Sequence, residues 1–471
     1  MRRAKIVCTL GPASASQETL EKLIHAGMDV ARLNLSHANH DEHQLLIGHL
    51  RAAQGKVRKA VGILADLQGP KIRTGKLKQE AIQLIEGKEI AITTDESVLG
   101  TEECISTTYP HLAGDVNVGD RILLDDGFLE LRVIATDKKQ IFHNKIIHGG
   151  TLKHNKGINL PGVALRLEAL TAKDKEDLAF VLKAGVDLVA MSFVRSPTDI
   201  EMCRRAMHEL GYAVPIIAKL EKPEAIARLD AILDQADGVM VARGDLGVEI
   251  PPEKVPAIQK DIIRRSNMRG VPAIVATQML NSMIEHPRPT RAEASDVANA
   301  IFDNTDAVML SGESASGRYP IAAVAMMSRI VEAAESAVHA GDGNLVPLSS
   351  AYPDVTCMAA CSAARKADAA LIVAFTLTGT TARLLSRCRP SMPIIAFSPN
   401  QKVRRRLSLL WGVTPRVLEP LQETEEMVRR VDEELLELGL AKHGERIVIV
   451  FGAPVGQAGK INSMRLHTIS A

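Results

Sequence analysis

The sequence predicts an α/β protein built on a (β/α)8 (TIM) barrel, with an inserted small β-barrel domain and a C-terminal α/β domain. Three observations carry this. Eight short apolar runs rich in β-branched residues each lead into a helix-like segment; the third and fourth runs are separated by far more chain than the others; and a second α/β pattern follows a Gly-containing stretch at 340–349. Near-continuous apolar strands alternating with helices belong to a parallel sheet covered on both faces, and eight such units in series close into a barrel.

The eight runs are Lys5–Leu10, Val30–Ser36, Val61–Leu67, Val186–Phe193, Pro215–Glu221, Val239–Asp245, Pro272–Gln278 and Ala307–Glu313. Helix punctuation agrees with them. Ser16 and Glu18 open one helix, Pro252 stands just inside another that Gly270 should end, and Thr290-x-x-Glu293 is a capping box. In the long interval, Glu89–Thr93, Arg121–Leu124, Leu129–Val133 and Gln140–His143 alternate with Gly-Asp, Asp-Asp-Gly and Asp-Lys-Lys turns, so residues 70–165 are expected to form a β-rich lid. The barrel then takes 1–69 and 166–339, ending in a helix around Ile321–Val338. Residues 350–471 are expected to form a regulatory α/β domain with strands near Ala370–Phe375, Pro393–Phe397, Ile447–Phe451 and Met464–Ile469.

Bulk properties narrow the function. A chain of 471 residues suggests about three domains. Its 57 Lys and Arg nearly cancel its 56 Asp and Glu, so no protein-wide field draws it to nucleic acid or an anionic membrane. No apolar run approaches the roughly 20 residues that cross a bilayer. Six scattered cysteines without a Cys-x-x-Cys pair, and a start at Met1-Arg2-Arg3-Ala4 unlike a secretory leader, suggest the cytoplasm. Cys357 and Cys361, one helical turn apart, are read as core packing, because no third ligand lies near them in sequence.

In such a barrel the chemistry sits at the carboxyl ends of the strands. Lys219 and Glu221 are two residues apart and share a face, and Asp245 ends the next run. Two carboxylates suit Mg²⁺, which keeps waters and takes substrate oxygens, and a lysine beside them would stabilise a transferring anionic group. Arg32, Asn34 and Ser36 alternate along the second run, followed by His37; arginine suits a bidentate grip on phosphate. Thr277 ends the seventh run with a hydroxyl, and Gly244 and Gly247 leave backbone N–H groups for an anion. Each signal alone has a plainer reading, as a charged turn or a structural ion pair. Arg243-Gly244-Asp245 could also be an adhesive loop, but the disulfide-rich secreted setting of such loops is missing. Together they describe a Mg²⁺-dependent site for an anionic substrate.

Val214-Pro-Ile-Ile-Ala-Lys-Leu-Glu-Lys-Pro-Glu-Ala-Ile226, Met240-Val-Ala-Arg-Gly-Asp-Leu-Gly-Val-Glu249, Ala276-Thr-Gln-Met-Leu280 and Pro289-Thr-Arg-Ala-Glu293 resemble the pyruvate kinase family. The likeness runs from Lys5–Pro12 through Asn155–Gly162 into the C-terminal unit. It implies phosphoryl transfer from phosphoenolpyruvate to ADP, giving pyruvate and ATP, by a homotetramer. It implies that Glu221 and Asp245 hold Mg²⁺, for which Mn²⁺ substitutes, that Lys219 lies against the transferring phosphoryl, and that Arg32 touches it. Gly244, Asp245 and Thr277 resemble the substrate-carboxylate cradle, with Thr277 feeding a proton relay. Asn34, Ser36, His37, Arg73 and Lys156 resemble the nucleotide side. The family's monovalent-cation site draws on Asn34, Ser36, Asp66 and the residue at Leu67. Where many members carry glutamate this chain carries Lys71, so K⁺ is expected not to be required, the ammonium standing in for it. Thr376, Thr378, Gly379, Thr380 and Thr381, before a helix bearing Arg383 and Arg387, resemble a nest for a phosphorylated effector, AMP or a sugar phosphate. The rival enzyme is another Mg²⁺-enolate barrel, such as a pyruvate-using aldolase or lyase, which leaves the insert, Arg32, Arg73 and the nest unexplained. A binding protein or an inactive relic is the non-catalytic reading, and intact Lys219, Glu221, Asp245 and Thr277 speak against it.

Overall fold

Eight parallel strands close into a barrel in the computed structural model, which describes residues 2–163, 165–337, 349–419, 423–453 and 460–470. They are Lys5–Thr9, Val30–Asn34, Gly62–Asp66, Leu188–Met191, Ile216–Leu220, Gly238–Ala242, Ala273–Ala276 and Ala307–Leu310, each paired with its successor and the eighth with the first. All eight expected runs are therefore strands, trimmed where polar residues bend into the rim. Arg243-Gly244-Asp245 is not strand but the first turn of a short helix, Arg243–Glu249.

Period-two alternation decides what each strand buries. Ala31 and Leu33 face the helical shell, whereas Val7, Val30, Leu64, Leu188, Ile217, Met240 and Ile274 form a separate inner stack. Two residues further along three of these strands, the inward positions become Arg32, Asp66 and Lys219. The apolar stack is thus the floor of a polar layer at the rim.

The insert is β-rich, with a six-stranded sheet and a two-stranded one around its own core of Ile92, Leu124, Leu131, Phe142 and neighbours. It meets the barrel where the Asn159 amide donates to Glu249 Oε1 at 2.9 Å, and Lys222 Nζ reaches the same oxygen at 2.6 Å. The helix expected over Ile321–Val338 runs Pro320–Ala337. Val338 and all but the last residue of the 340–349 boundary lie outside the described residues. The C-terminal unit is a five-stranded sheet that includes Val413–Arg416, which sequence reading missed. That strand is short, carries Pro415 and lies at the sheet edge, where proline is tolerated. No helix among the described residues is long and apolar enough to cross a membrane.

The C-terminal unit also closes the barrel from below. Leu409 belongs to the inner stack, 2 % exposed, and Trp411 packs into the outer core between the guanidinium groups of Arg3 and Arg389. Gly62 permits the approach: a Cβ there would lie 2.9 Å from the Arg405 carbonyl, and its amide donates to Ser408 Oγ at 2.9 Å. Arg405 Nε pairs with buried Asp187 at 2.7 Å, and Lys5 Nζ donates to the Val413 carbonyl at 2.6 Å. Leu409→Ala is expected to lower stability by about 2–5 kcal/mol, because it opens a cavity beneath a closed ring of strands that cannot collapse into it. Chemical denaturation of both proteins measures it; an unchanged midpoint would contradict the closure.

Candidate active site

Strand geometry brings Arg32, Asp66, Lys219 and Glu221 together. Lys219 Nζ lies 2.7 Å from Ser192 Oγ, 2.9 Å from Glu221 Oε1 and 3.3 Å from Asp66 Oδ1. Asp66 turns its other oxygen to Arg32, with both Nε and Nη2 at 2.7 Å, and Arg32 Nη1 donates to Thr9 Oγ1 at 3.0 Å. Burial alone would push Asp66 up, but the charges of Lys219 and Arg32 outweigh it and hold its carboxyl below the usual range. Burial also works against the Lys219 ammonium; Asp66 and Glu221, joined by Asp245, overcome it and raise that pKa.

Glu221 is the strained partner. It is 1 % exposed, and its Oε2 accepts the Phe193 amide at 2.8 Å. Burial raises its pKa, Lys219 opposes the rise, and the nearby charge of Asp245 adds to it. Buried Glu221 and partly buried Asp245 interact as two like charges, a tension that a divalent cation would relieve. Among the described residues no group of three or more His, Cys, Asp or Glu could hold a metal. Glu221 with Asp245 is therefore a two-carboxylate set, the kind that fits Mg²⁺ sharing its remaining positions with water and substrate oxygens.

Thr277 and Gln278 both adopt left-handed backbone, φ +72 and +56, uncommon for side chains of this kind and held here by neighbours. Arg243 supplies the restraint: Nη2 donates to the Thr277 carbonyl at 2.8 Å, Nε to that of Ala276 at 3.3 Å, and Nη1 pairs with Asp296 at 2.7 Å. Arg243 thus turns back to shape the rim instead of pointing outward. The Gly244 amide, expected in the substrate-carboxylate cradle, donates to Thr277 Oγ1 at 2.8 Å. The hydroxyl and this amide form one unit.

Asn34 and His37 line an open cavity of about 880 Å³, together with Arg32, Pro12, Leu45 and Ser311, and Ser36 lies beside it. Arg73 and Lys156 are joined to each other through the Thr74 amide, which donates to the Lys156 carbonyl at 2.8 Å, but neither lines that cavity. Lys156 Nζ pairs with Asp125 at 2.8 Å, and Arg73 donates to the Asn155 carbonyl at 3.2 Å, so both stay within the insert. Lys71 lies beside Gly157 and lines the cleft that holds Asp245 and Glu249.

At the expected effector nest, Thr376 Oγ1 accepts the Gly379 amide at 2.8 Å and Thr381 Oγ1 donates to the Phe375 carbonyl at 2.9 Å. Thr378 and Thr380 face outward, their hydroxyls 3.0 Å apart. Arg387 pairs with Asp354 at 3.3 Å. Cys388 joins Cys357 and Cys361 in the C-terminal core, in keeping with packing. Sequence reading passed over Ser192, Thr9 and the grip of Arg243. Ser192 was within reach, since it continues the inward series Leu188, Ala190 by one more step of two.

Comparison with known proteins agrees with this geometry. The family model described as pyruvate kinase, barrel domain, matches residues 1–324, and that of the pyruvate kinase alpha/beta domain matches 354–467. The pyruvate kinase of Mycobacterium tuberculosis is 47% identical over 468 residues, 99% of this chain and 98% of that protein. That of Geobacillus stearothermophilus is 47% identical over 475 residues, covering 100% of this chain and 81% of its own. A crystal structure of a pyruvate kinase from Cryptosporidium parvum superposes with a TM-score of 0.93 at 38% identity, covering 99% of this chain and 96% of that one. None of these favours an aldolase or lyase, and from its inner polar layer to its C-terminal sheet this chain belongs to the pyruvate kinase family.

Proposed function

We propose that the chain transfers the phosphoryl group of phosphoenolpyruvate to ADP, forming ATP and, once the enolate takes a proton on carbon, pyruvate. The observation that carries this is the meeting of Lys219, Glu221, Asp66 and Arg32 within hydrogen-bond distance at the rim, with Asp245 beside them. Phosphoryl transfer asks for positioning and charge neutralisation more than for covalent help. Glu221 and Asp245 would hold Mg²⁺, or Mn²⁺ in its place, which would supply neutralisation of the substrate's negative charge. Lys219 stabilises charge on the migrating phosphoryl and on the enolate oxygen, and Arg32 orients the phosphate. Thr277, with the Gly244 and Asp245 amides, holds the substrate carboxylate and feeds the proton relay.

ADP then occupies the cavity at Asn34, Ser36 and His37. Arg73 and Lys156 reach it when the insert, residues 70–165, closes over the barrel of 1–69 and 166–339 and excludes water. The 350–471 unit binds a phosphorylated effector, AMP or a sugar phosphate, through the outward hydroxyls at 378 and 380 and the nest from Thr376 to Thr381, within a cytoplasmic homotetramer.

K⁺ is not required in this reading. The Asp66 carboxylate already lies between two cations, the Leu67 carbonyl accepts the Ser192 hydroxyl at 2.7 Å, and Asn34 Oδ1 accepts the Ser36 amide at 3.2 Å. Lys71 adds a fixed ammonium at the seam between insert and barrel. A coupled assay of pyruvate formation from phosphoenolpyruvate and ADP tests both points. Turnover is expected only with Mg²⁺ or Mn²⁺ and is expected to persist in K⁺-free buffer. No product with Mg²⁺ would refute the activity, and a rise of about tenfold or more on adding K⁺ would refute independence from it.

A further inference from the structure

We propose that Ser192 is a positioning residue for Lys219, aiming its ammonium at the migrating phosphoryl group; this rests on the phosphoryl-transfer reading above. An ammonium has three N–H bonds, and Lys219 has three acceptors within reach: Ser192 Oγ at 2.7 Å, Glu221 Oε1 at 2.9 Å and Asp66 Oδ1 at 3.3 Å. They differ in what else they must do. Glu221 is half of the pair that would hold the cation, so its oxygen would be shared with a divalent ion. Asp66 is shared with Arg32. Ser192 is the one acceptor with no competing cation.

The hydroxyl is itself oriented. Ser192 Oγ donates its single proton to the Leu67 carbonyl at 2.7 Å, a shorter contact than the 3.4 Å to Asp66 Oδ1, so a lone pair is left facing Lys219. The carrier of that hydroxyl is packed in place. Ser192 is 2 % exposed, and the turn after the third strand closes on it through Gly69, at φ +70, where a Cβ would lie 3.0 Å from the Ser192 Cβ and 2.8 Å from the Phe193 ring. A neutral acceptor at this point has a chemical advantage. A third carboxylate would hold Lys219 as firmly, but it would draw down the positive charge on which phosphoryl transfer depends. Ser192 steers the ammonium and leaves its charge for the substrate.

Ser192→Ala tests this in the full chain, with Ser192→Cys, nearly isosteric but a weaker acceptor, beside it. A positioning role predicts that kcat falls about 10- to 100-fold in the alanine variant, the loss associated with about an ångström of misplacement. KM for phosphoenolpyruvate should stay within about threefold of the parent value, because substrate binding does not depend on the hydroxyl. Mn²⁺ affinity measured without substrate should be unchanged, and the cysteine variant should have an intermediate kcat. An alanine variant with parental kcat, or one whose whole loss lies in KM, would overturn the inference. Should the alanine variant fail to fold, parental kcat in the cysteine variant would overturn it as well. A parent that forms no pyruvate from phosphoenolpyruvate and ADP would instead refute the reading beneath it.

Discussion

Lys219→Met is expected to reduce kcat by about a thousandfold while leaving divalent-cation affinity intact. Loss of one preorganised donor at a developing oxyanion typically removes 10²–10³ in rate, and loss of a cation in phosphoryl transfer about 10³–10⁵. Lys219 combines the two roles, and the charges of Asp66, Glu221 and Asp245 keep it protonated. Methionine fills a similar volume without charge, so the floor beneath should stay packed. Glu221 loses its cationic neighbour and should hold a divalent ion at least as tightly as before. Steady-state assays paired with Mn²⁺ titration give both numbers. A loss of less than about tenfold would remove Lys219 from the reaction.

Glu221→Gln should be nearly as damaging, by a different route, and it separates activity from stability. The carboxyl pKa is raised in the metal-free fold, first by burial and then by Asp245, against the pull of Lys219. A carboxyl whose folded pKa lies above its unfolded one binds more protons folded than unfolded, so stability falls as pH rises from the unfolded value through the folded one. Burial and Asp245 thus disfavour the ionised form of Glu221 in the metal-free protein, and a bound Mg²⁺ would offset that cost. In chelator, the glutamine variant should melt no lower than the parent. Mg²⁺ at about a hundred times Kd should stabilise the parent by roughly 2.7 kcal/mol and the variant far less. Turnover should drop by at least about a hundredfold. Equal Mg²⁺-induced shifts in the two melting curves would take Glu221 out of the metal set.

What could be read in advance follows from the reach of local periodicity. Alternation along a strand says which side chains share a face, so Lys219 with Glu221, and Arg32 with Asn34 and Ser36, were legible, as were all eight strands. It does not say which side chains of different strands meet at the rim. The two ion pairs of Asp66, to Arg32 and Lys219, were therefore invisible, and Asp66 entered only through a family likeness. The turn of Arg243 back onto Thr277 was hidden for another reason. The residues are 34 positions apart, and their contact depends on two left-handed backbone angles that no propensity favours in threonine and glutamine. Lys71 entered by analogy, as a stand-in for K⁺, and local periodicity gave no sign that it lines the cleft holding Asp245 and Glu249.

The cork supplied by Leu409 bears on the order in which the protein can be made. A ribosome releases all eight strands before it reaches that leucine, so a nascent cylinder stands with its lower mouth open and water able to reach Val7, Val30 and Leu64. Final drying of the bore must wait for one of the last segments to be synthesised. A chain truncated ahead of it should persist as a leaky, chaperone-dependent intermediate, however complete its catalytic lettering.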